Sequence, residues 1–353
     1  MSTNGMPPQL AVLDMVQSRW RSAAIGAIAR SGVIPLLVGG PRTVEQLAAE
    51  VAYDTDGLYR VMRALARIRV FEELPERRFA LTPLSRPLLA DHKDSVLNMV
   101  LNMTSEREHR VWANLEHTMR TGEPAQLKVF GKNLWAYFDE HVDEAKIFHE
   151  GMKDLTRQTA QAIAKGYDFS RFSEVIDVGG GGGELLSAIL TAHPSLRGTL
   201  YDSTQAVADA PAVFAEAGVD ARARVTVGDA FRSIPTGYDA YVMKNVVHGF
   251  GDDQVAVLLR NVTKAMKPGA VLLLVEHVVA EAGPYMQFLD LQMLLGTDYG
   301  RERTRDEFAA LLEGAGLVVN NLLDRAGPLS IMECLPSNVV ARRQPPLATL
   351  NAS

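Results

Sequence analysis

Five side chains that can accept or transfer protons lie at or just after the ends of short apolar runs in this 353-residue sequence. They are Asp177, Asp202, Asp229, His248 and Glu276. Short apolar runs bounded by turn residues predict buried strands, and open α/β sheets bind ligands beside the carboxyl ends of their strands. We therefore expect a ligand site at one edge of a sheet, with a histidine available for proton transfer.

Five consecutive glycines, residues 179–183, follow the run Glu174–Val178 and precede an apolar-periodic segment from Leu185. Glycines at such a junction permit positive φ angles and close approach of a ligand, and the helix N-terminus offers free N–H groups. The dinucleotide pattern G-x-G-x-x-G is not met, because Glu184 or Leu185 takes the third glycine position. Asp177 would repel a pyrophosphate but suits a ligand with an ammonium and a sulfonium. The loop thus favours S-adenosylmethionine.

Two later positions suit the nucleoside part of such a ligand. Asp202 lies 21 residues past Gly181, where a βαβ unit places an acid that accepts hydrogen bonds from ribose hydroxyls. Asp229 and Phe231 follow the next predicted strand, where an acid can bond an adenine amino group and a ring can pack on its face.

The elements that must hold these residues alternate between strand and helix. Strands are predicted at 174–178, 198–202, 224–227, 238–244 and 270–275, and a helix is predicted at 252–266. This alternation predicts an α/β fold with a doubly wound, mostly parallel, Rossmann-like sheet.

The N-terminal third has the element order of a winged helix. Helical periodicity runs over residues 10–33, a capping box opens a second helix at Thr43, a third begins near Thr55, and residues 70–82 resemble a hairpin. Residues 84–103 add apolar side chains, Leu88 and Leu89 among them, that we expect a partner chain to cover.

An arginine stripe on the third helix, formed by Arg60, Arg63 and Arg67, leaves DNA binding by this unit as an alternative. The net charge of −6 and the pI of about 5.8 favour a solvated arginine face instead. The single cysteine, Cys334, excludes an internal disulfide, and no apolar run reaches the length of a membrane span. We expect a cytoplasmic protein with neither nucleic acid nor membrane as its partner.

A helical bridge is predicted over residues 104–165, with the densest group of aromatic and methionine side chains in the chain. Most of these belong in a core, and a few can line a pocket for a planar substrate. The histidines of the bridge do not have the spacing of a ligand set, since Lys153 stands where His149-Glu150 would need a second histidine. No metal is predicted.

In this order and spacing, the motifs resemble the plant caffeate-type and bacterial antibiotic-pathway O-methyltransferases over roughly residues 10–336. The motifs are the glycine loop 177–183, Asp202, the segments 228–231 and 244–248, and the acceptor-lining stretches 289–291 and 300–304. The resemblance implies an N-terminal winged-helix dimerisation domain, residues 1–103, and a catalytic domain, residues 166–340. Residues 341–353 are predicted to form a disordered tail.

The resemblance also implies roles for individual residues. Together with the loop and adenine arguments above, it gives these cofactor contacts: Asp177, Gly179, Gly181, Asp202, Asp229, Ala230, Phe231 and Lys244. It implies His248 as general base, flanked by Glu276 and Glu302. The pocket for the acceptor would be lined by Trp112, Met152, Asp290 and Met293.

A histidine alone is a weak base for a phenol. The pKa is ~10 for a phenol and ~6.5 for a free histidine, so proton transfer from the phenol to the histidine is uphill by ~3.5 pKa units, or ~4.8 kcal/mol. A carboxylate bonded to the far ring nitrogen stabilises the imidazolium, and either Glu276 or Glu302 can supply it. Structural alternatives stay open: packing for His248, a helix cap or solvent contact for Glu276, and a surface ion pair for Glu302.

We therefore predict methyl transfer from S-adenosylmethionine to a hydroxyl, phenolic in character, of a small aromatic or polyketide-type natural product, by a homodimer that releases S-adenosylhomocysteine. Two departures from the family pattern bear on the acceptor. Gly249-Phe250 replaces Asp-Trp after the base, and the segment 296–302 is about two residues longer than usual. Two alternatives remain, a methyltransferase-fold enzyme that uses the bound cofactor for hydroxylation or decarboxylation, and a winged-helix regulator.

Overall fold

The computed structural model describes residues 6–279, 284–326 and 328–338, and the chain separates into two compact units. The first unit holds Met1–Arg110 and His141–Leu155, and the second holds Val111–Glu140 and Thr156–Ser353. Residues 104–165, treated above as one bridge, are shared between the units. The tail 341–353 lies outside the described residues.

The first unit combines helices with a small antiparallel sheet of strand order β1-β3-β2. Its elements are α1 (Pro8–Arg30), α2 (Val33–Leu36), β1 (Arg42–Thr43), α3 (Val44–Val51), α4 (Thr55–Arg67), β2 (Phe71–Leu74), β3 (Arg78–Leu81) and α5 (Leu97–Met103). The three helices and the hairpin expected of a winged helix are present in that order.

Local sequence signals fix the helix ends in this unit. At the start of α3, Thr43 Oγ1 accepts a hydrogen bond from the Gln46 N–H at 3.3 Å, and Gln46 Oε1 accepts one from the Thr43 N–H at 3.0 Å. The predicted capping box is therefore confirmed. Helix α1 ends just before Gly32, whose φ of 77° a glycine adopts without steric cost.

The core of the first unit contains two leucines that we expected on an exposed apolar surface. Leu88 and Leu89 pack with the side chains of α1, α3, α4 and the hairpin and are less than a tenth exposed. That expectation was wrong for these two residues, because the segment folds back onto the core. A different row of apolar side chains is exposed on α1, namely Leu10, Val12, Leu13, Met15, Val16 and Trp20.

Two helices belong to both units, α6 (Glu106–Trp112) and α10 (Val142–Gly166), and three short helices between them lie in the second unit. The short helices are α7 (Leu115–Thr121), α8 (Ala125–Phe130) and α9 (Leu134–Glu140).

The rest of the second unit is a seven-stranded sheet with helices on both faces. Its elements are β4 (Glu174–Val178), α11 (Glu184–Ala192), β5 (Arg197–Asp202), α12 (Ala210–Glu216), β6 (Ala223–Val227), β7 (Ala240–Lys244), α13 (Asp252–Ala265), β8 (Val271–Glu276), α14 (Pro284–Gly296), α15 (Arg305–Gly314), β9 (Leu317–Ala326) and β10 (Leu329–Pro336).

The strand order is β6-β5-β4-β7-β8-β10-β9. The first five strands pair in parallel, and β10 is antiparallel to both of its neighbours. The predicted doubly wound, mostly parallel sheet is confirmed. The β9–β10 hairpin was not predicted. The strand expected at 238–244 begins at Ala240, and just before it the Asp239 side chain accepts hydrogen bonds from the N–H groups of Ser173 and Glu174 at 2.8 and 2.9 Å.

Two apolar clusters cover the two faces of the sheet. Alternate residues of β4 contribute to each, with Val175 in the cluster that contains α11 and α12, and Ile176 and Val178 in the cluster that contains α13 and α15. With both faces buried, the carboxyl ends of the strands are where a ligand can reach the sheet.

Among the residues that the structure describes, no helix has both the length and the apolar character that a bilayer span requires.

Candidate active site

The glycine loop between β4 and α11 has a conformation that needs glycine at several positions. Gly179, Gly181 and Gly183 have φ angles of 74°, 59° and 88°. A Cβ atom on Gly179 would lie 2.7 Å from the Val246 side chain, and one on Gly183 would lie 2.8 Å from the Phe214 ring. Around Gly181 no described atom lies within 4 Å of a Cβ position, so the tip of the loop is open to a ligand.

Asp202, at the end of β5, is held against the tip of this loop. Its Oδ2 atom accepts a hydrogen bond from the Gly181 N–H at 2.9 Å, and its Oδ1 atom accepts one from the Ser203 N–H at 2.6 Å. Each carboxylate oxygen has a further lone pair, so Asp202 can still accept hydrogen bonds from a pair of hydroxyls. The structure thus brings Asp202 and the loop together, as the sequence predicted.

The turn after β6 is braced by a residue that the sequence motifs did not identify. Asp229 Oδ1 accepts from the Phe231 N–H at 2.9 Å, and Asn261 Nδ2 donates to the carbonyls of Ala230 and Phe231, each at 2.9 Å. Asp229 also lines an open groove of about 560 Å³ that continues along this turn. Asn261 comes from α13, far from the motif in sequence, and nothing in its neighbourhood signals this contact.

Asp177 is enclosed beneath the glycine loop. It is 1% exposed, and neither carboxylate oxygen has a hydrogen-bond partner among the described residues. A Cβ atom on Gly180 would overlap this carboxylate, which shows how closely the loop packs on it. Burial raises the pKa of Asp177 to about 7. Its direct contact with a cofactor stays a prediction, and its contact with the loop backbone is what the structure shows.

Lys244 ends β7 beside this loop. Its ammonium donates to Thr156 Oγ1 at 3.2 Å, a contact from α10 that no sequence motif indicated. Burial lowers the pKa of Lys244, against the charges of Glu276 and Asp177. The next residue, Asn245, has a φ of 52°, and its buried Oδ1 atom has no partner among the described residues. The backbone therefore turns sharply between the strand and the histidine segment.

His248 lies in a short 3-10 turn after β7, with its side chain 12% exposed. Its Nδ1 atom is 2.8 Å from Glu302 Oε1, and Glu302 is itself 3% exposed. A carboxylate can only accept, so Nδ1 carries the proton and Nε2 has its lone pair free to act as a base. Both side chains are buried, so Glu302 does not form the surface ion pair considered above, and the role of His248 as a base stays a prediction.

Glu276, at the end of β8, has a different set of contacts. Its Oε1 atom accepts hydrogen bonds from the N–H groups of Val246 and Val247 at 2.9 and 3.0 Å, and its Oε2 atom lies 4.0 Å from His248 Nδ1. Glu276 therefore holds the backbone of the histidine segment, and Glu302 holds the ring.

The charges around His248 act on its protonation. Burial lowers the pKa of the imidazole, but the carboxylates of Glu276 and Glu302 outweigh that effect, and the net pKa is raised. Burial raises the pKa of Glu276 to about 7, with the His248 charge opposing. The neighbouring His277 donates from Nδ1 to the Pro328 carbonyl at 3.0 Å, and burial lowers its pKa.

The predicted pocket residues have mixed surroundings. The indole N–H of Trp112, 36% exposed, donates to Gln292 Oε1 at 2.7 Å. Asp290 Oδ1 accepts from the Glu302 N–H at 2.8 Å, so this acid supports the histidine pair. Met293 is 8% exposed and Met152 belongs to the first unit, so pocket roles for these four residues stay a prediction.

An aromatic row lies next to the histidine turn. The ring of Phe250 is 4.9 Å from that of Phe231 and 6.5 Å from that of Trp135, and Trp135 is 39% exposed. Gly249 is buried, yet a Cβ atom built on it would have no described atom within 4 Å. Where the family pattern has Asp-Trp, this chain therefore has open space beside Gly249 and a smaller ring, that of Phe250.

Over the described ranges, no cluster of three or more potential ligand side chains has a geometry that would hold a metal ion.

The residues at this edge fit the chemistry of S-adenosylmethionine. The open loop around Gly181 exposes backbone to a ligand, Asp202 retains acceptor capacity for hydroxyls, and Asn245 keeps a buried oxygen unpaired among the described residues. The surrounding acids, Glu276 among them, favour a cationic ligand over a phosphate.

Comparison with known families decides the assignment. A family model described as the O-methyltransferase domain matches residues 112–318, and one described as the O-methyltransferase dimerisation domain matches residues 13–91. The chain belongs to the O-methyltransferase family. It is an S-adenosylmethionine-dependent O-methyltransferase with an N-terminal dimerisation domain.

Relatives that transfer methyl groups to oxygen or to nitrogen match most of the chain. A phenazine O-methyltransferase, PhzM, from Lysobacter antibioticus is 36% identical over 94% of this chain and 97% of its own length. The solved structure of NcsB1, an O-methyltransferase from neocarzinostatin biosynthesis in complex with S-adenosylmethionine and 2-hydroxy-5-methyl naphthoic acid, is 30% identical, with a TM-score of 0.78 over 90% of this chain and 96% of that one. An 8-amino-8-demethylriboflavin N,N-dimethyltransferase from Streptomyces davaonensis is 32% identical over 87% of this chain and 90% of its own.

Proposed function

We propose that this enzyme methylates a phenolic hydroxyl of a small aromatic or polyketide-type natural product, with His248 as the general base. The observation that carries the proposal is the buried hydrogen bond of 2.8 Å between His248 Nδ1 and Glu302, which leaves Nε2 as the basic nitrogen. The descriptions of PhzM and NcsB1 name a phenazine and 2-hydroxy-5-methyl naphthoic acid, both aromatic compounds, and this supports the class of acceptor.

The raised pKa of His248 makes it a better base than an ordinary histidine. A free imidazole is ~4.8 kcal/mol short of taking a proton from a phenol, at ~1.36 kcal/mol per pKa unit. The carboxylates of Glu302 and Glu276 narrow this gap because they stabilise the imidazolium as it forms at His248. A positioned base of this kind contributes about 10²- to 10⁴-fold to the rate.

The cofactor would be held by the glycine loop, Asp202 and the turn at Asp229, with Lys244 beside the loop. When bound, S-adenosylmethionine supplies an electrophilic sulfonium methyl group, and the electron pair of the broken bond stays on sulfur. The residues of this chain have to orient the acceptor hydroxyl towards that methyl and take its proton on His248 Nε2. Phe250 and Trp135 offer ring faces against which a planar acceptor can be oriented.

We also propose that the enzyme works as a homodimer through its first unit. The exposed apolar row on α1 includes Leu13, Val16 and Trp20, of which Trp20 is 61% exposed. This surface falls largely within the matched dimerisation domain, residues 13–91. A second copy would remove it from water.

The experiment that tests the proposed function is a screen of the purified protein against phenolic, hydroquinone and arylamine acceptors with a labelled methyl donor. Methyl incorporation into a phenol, and its loss in His248→Ala with cofactor affinity retained, is the expected result. Incorporation only into amines would refute the hydroxyl acceptor, and a product oxidised or decarboxylated without methyl gain would refute transfer itself.

A further inference from the structure

Arg303 is a completely buried arginine that follows Glu302, the acid paired with His248, in the sequence. Its guanidinium donates to Asp252 Oδ1 from Nε at 3.1 Å and from one terminal nitrogen at 2.7 Å. The terminal nitrogens also donate to the carbonyls of Val247 at 3.0 Å, Phe250 at 2.9 Å and Arg301 at 3.3 Å. The Arg303 side chain therefore connects the residues on both sides of the His248 turn to the chain segment that carries Glu302.

This set of contacts requires an arginine. Burying a cation is costly unless every donor finds an acceptor, and here a carboxylate and three carbonyls accept from the fork of Arg303. A lysine would carry the same charge on one nitrogen and could reach only part of the set. The carbonyls of Val247 and Phe250 flank the turn, so losing the fork would free the backbone on both sides of His248.

The same segment is joined to the histidine turn by backbone contacts. The Arg301 N–H donates to the His248 carbonyl at 2.9 Å, and the Gly251 N–H donates to the Asp298 carbonyl at 3.1 Å. Glu302 therefore contacts His248 Nδ1 from a segment that is held against the turn on both sides. Arg301 holds it just before Glu302, and Arg303 holds it just after.

We propose that Arg303 is a positioning residue for the reaction, and that its bonds to the histidine turn and Asp252 set the contact between Glu302 and His248. This rests on the proposed function, in which His248 is the base. Arg303 does not touch the reacting groups; it acts through Glu302. The charged groups that face His248 are Glu302, Glu276 from β8 and Lys244 from β7, with His277 nearby.

The first test is Arg303→Lys, which keeps the charge and removes the fork. We expect kcat for methyl transfer to fall by about 10- to 100-fold, the scale of a small misplacement of catalytic groups. Cofactor affinity by calorimetry should stay within about threefold, a free-energy change of well under 1 kcal/mol. The acid limb of the kcat profile should move to lower pH, as we also expect for Glu302→Gln, because a weakened bond to Glu302 supports the imidazolium less. Arg260→Lys, the same substitution at an exposed arginine of α13, is the matched control.

The second test is a double-mutant cycle with Glu302→Ala, which removes the contact to His248 altogether. If Arg303 acts through Glu302, Arg303→Lys should cost little further activity in the Glu302→Ala background. Asp252→Asn keeps the arginine but weakens its ion pair. It should give a smaller loss of kcat with the same coupling to residue 302, and it replaces the lysine variant if that variant does not fold. Additive losses with an unshifted acid limb would overturn the inference. If His248→Ala were as active as the wild type, the proposed function would fail first.

Discussion

Replacing Glu302 by glutamine tests the division of roles between the two acids. A glutamine can keep the 2.8 Å hydrogen bond, because its amide oxygen can accept from His248 Nδ1 as the carboxylate does. What it removes is the negative charge beside the ring. Since the His248 and Glu302 side chains are 12% and 1% exposed, solvent cannot replace that charge.

The size of the effect follows from the loss of charge in a bond that is otherwise kept. A buried hydrogen bond to a charged group contributes ~1.5–3 kcal/mol and one between neutral groups ~0.5–1.5 kcal/mol, so the charge accounts for ~1–1.5 kcal/mol. If that stabilisation applies to the imidazolium formed in the transition state, kcat should fall by about 5- to 13-fold, at tenfold per ~1.36 kcal/mol. The base must be neutral, so kcat rises with pH through the pKa of His248. Without the Glu302 charge that raises this pKa, the acid limb of the profile should move to lower pH while the plateau falls.

The assay is kcat against pH with a labelled methyl donor at saturating acceptor, compared between Glu302→Gln and Glu276→Gln. Burial raises the pKa of Glu276 to about 7, and its Oε2 atom lies 4.0 Å from His248 Nδ1, against 2.8 Å for Glu302 Oε1, so its charge acts on the ring less directly. Its Oε1 contacts to the Val246 and Val247 amides can also be kept. We expect Glu276→Gln to lose less activity than Glu302→Gln. The reverse order, or an acid limb of Glu302→Gln that moves to higher pH, would refute this reasoning.

Three further predictions concern the cofactor and acceptor sites. Asp202→Ala should weaken cofactor binding by about 1–3 kcal/mol, because it leaves ribose hydroxyls unpaired. Calorimetry measures this change, and unchanged binding would contradict the ribose assignment. Gly179→Ala should also weaken it, since the residue has a φ of 74° and a Cβ would lie 2.7 Å from the Val246 side chain; an unaffected Kd would show that the loop adapts. Gly249→Asp should fold normally, because no described atom lies within 4 Å of the added Cβ, while narrowing the range of accepted phenols in a substrate screen.

Much of the sheet and its ligand edge could be predicted because strand ends leave strong signals. Asp202 and Glu276 each end a short apolar run, and both lie at the carboxyl ends of parallel strands in the structure. The glycine loop was equally informative, since only glycine suits its positive φ angles. Local residue types determine these features, so the sequence contains them directly.

Contacts between distant segments could not be predicted in the same way. Thr156, Asn261 and Arg303 all support the site through single side chains whose partners are 30 or more residues away. Leu88 and Leu89 have the composition of an exposed apolar surface, and only the fold places them in a core. Asp177 has the position expected of a ligand contact, but the direction of its side chain depends on how the loop packs over it.

The segment 296–302, which we expected to be longer than usual, approaches the histidine turn through a tight turn of its own. In it, Thr297 Oγ1 accepts from the Gly300 N–H at 3.1 Å and donates to the Met293 carbonyl at 2.6 Å. The chain then passes so close to the histidine turn that a Cβ atom on Gly300 would overlap the His248 carbonyl. The close backbone contact at Gly300, together with the bonds of Arg303, therefore holds the acid beside the imidazole. A side chain at residue 300 would force the two segments apart, whatever the length of the loop before it.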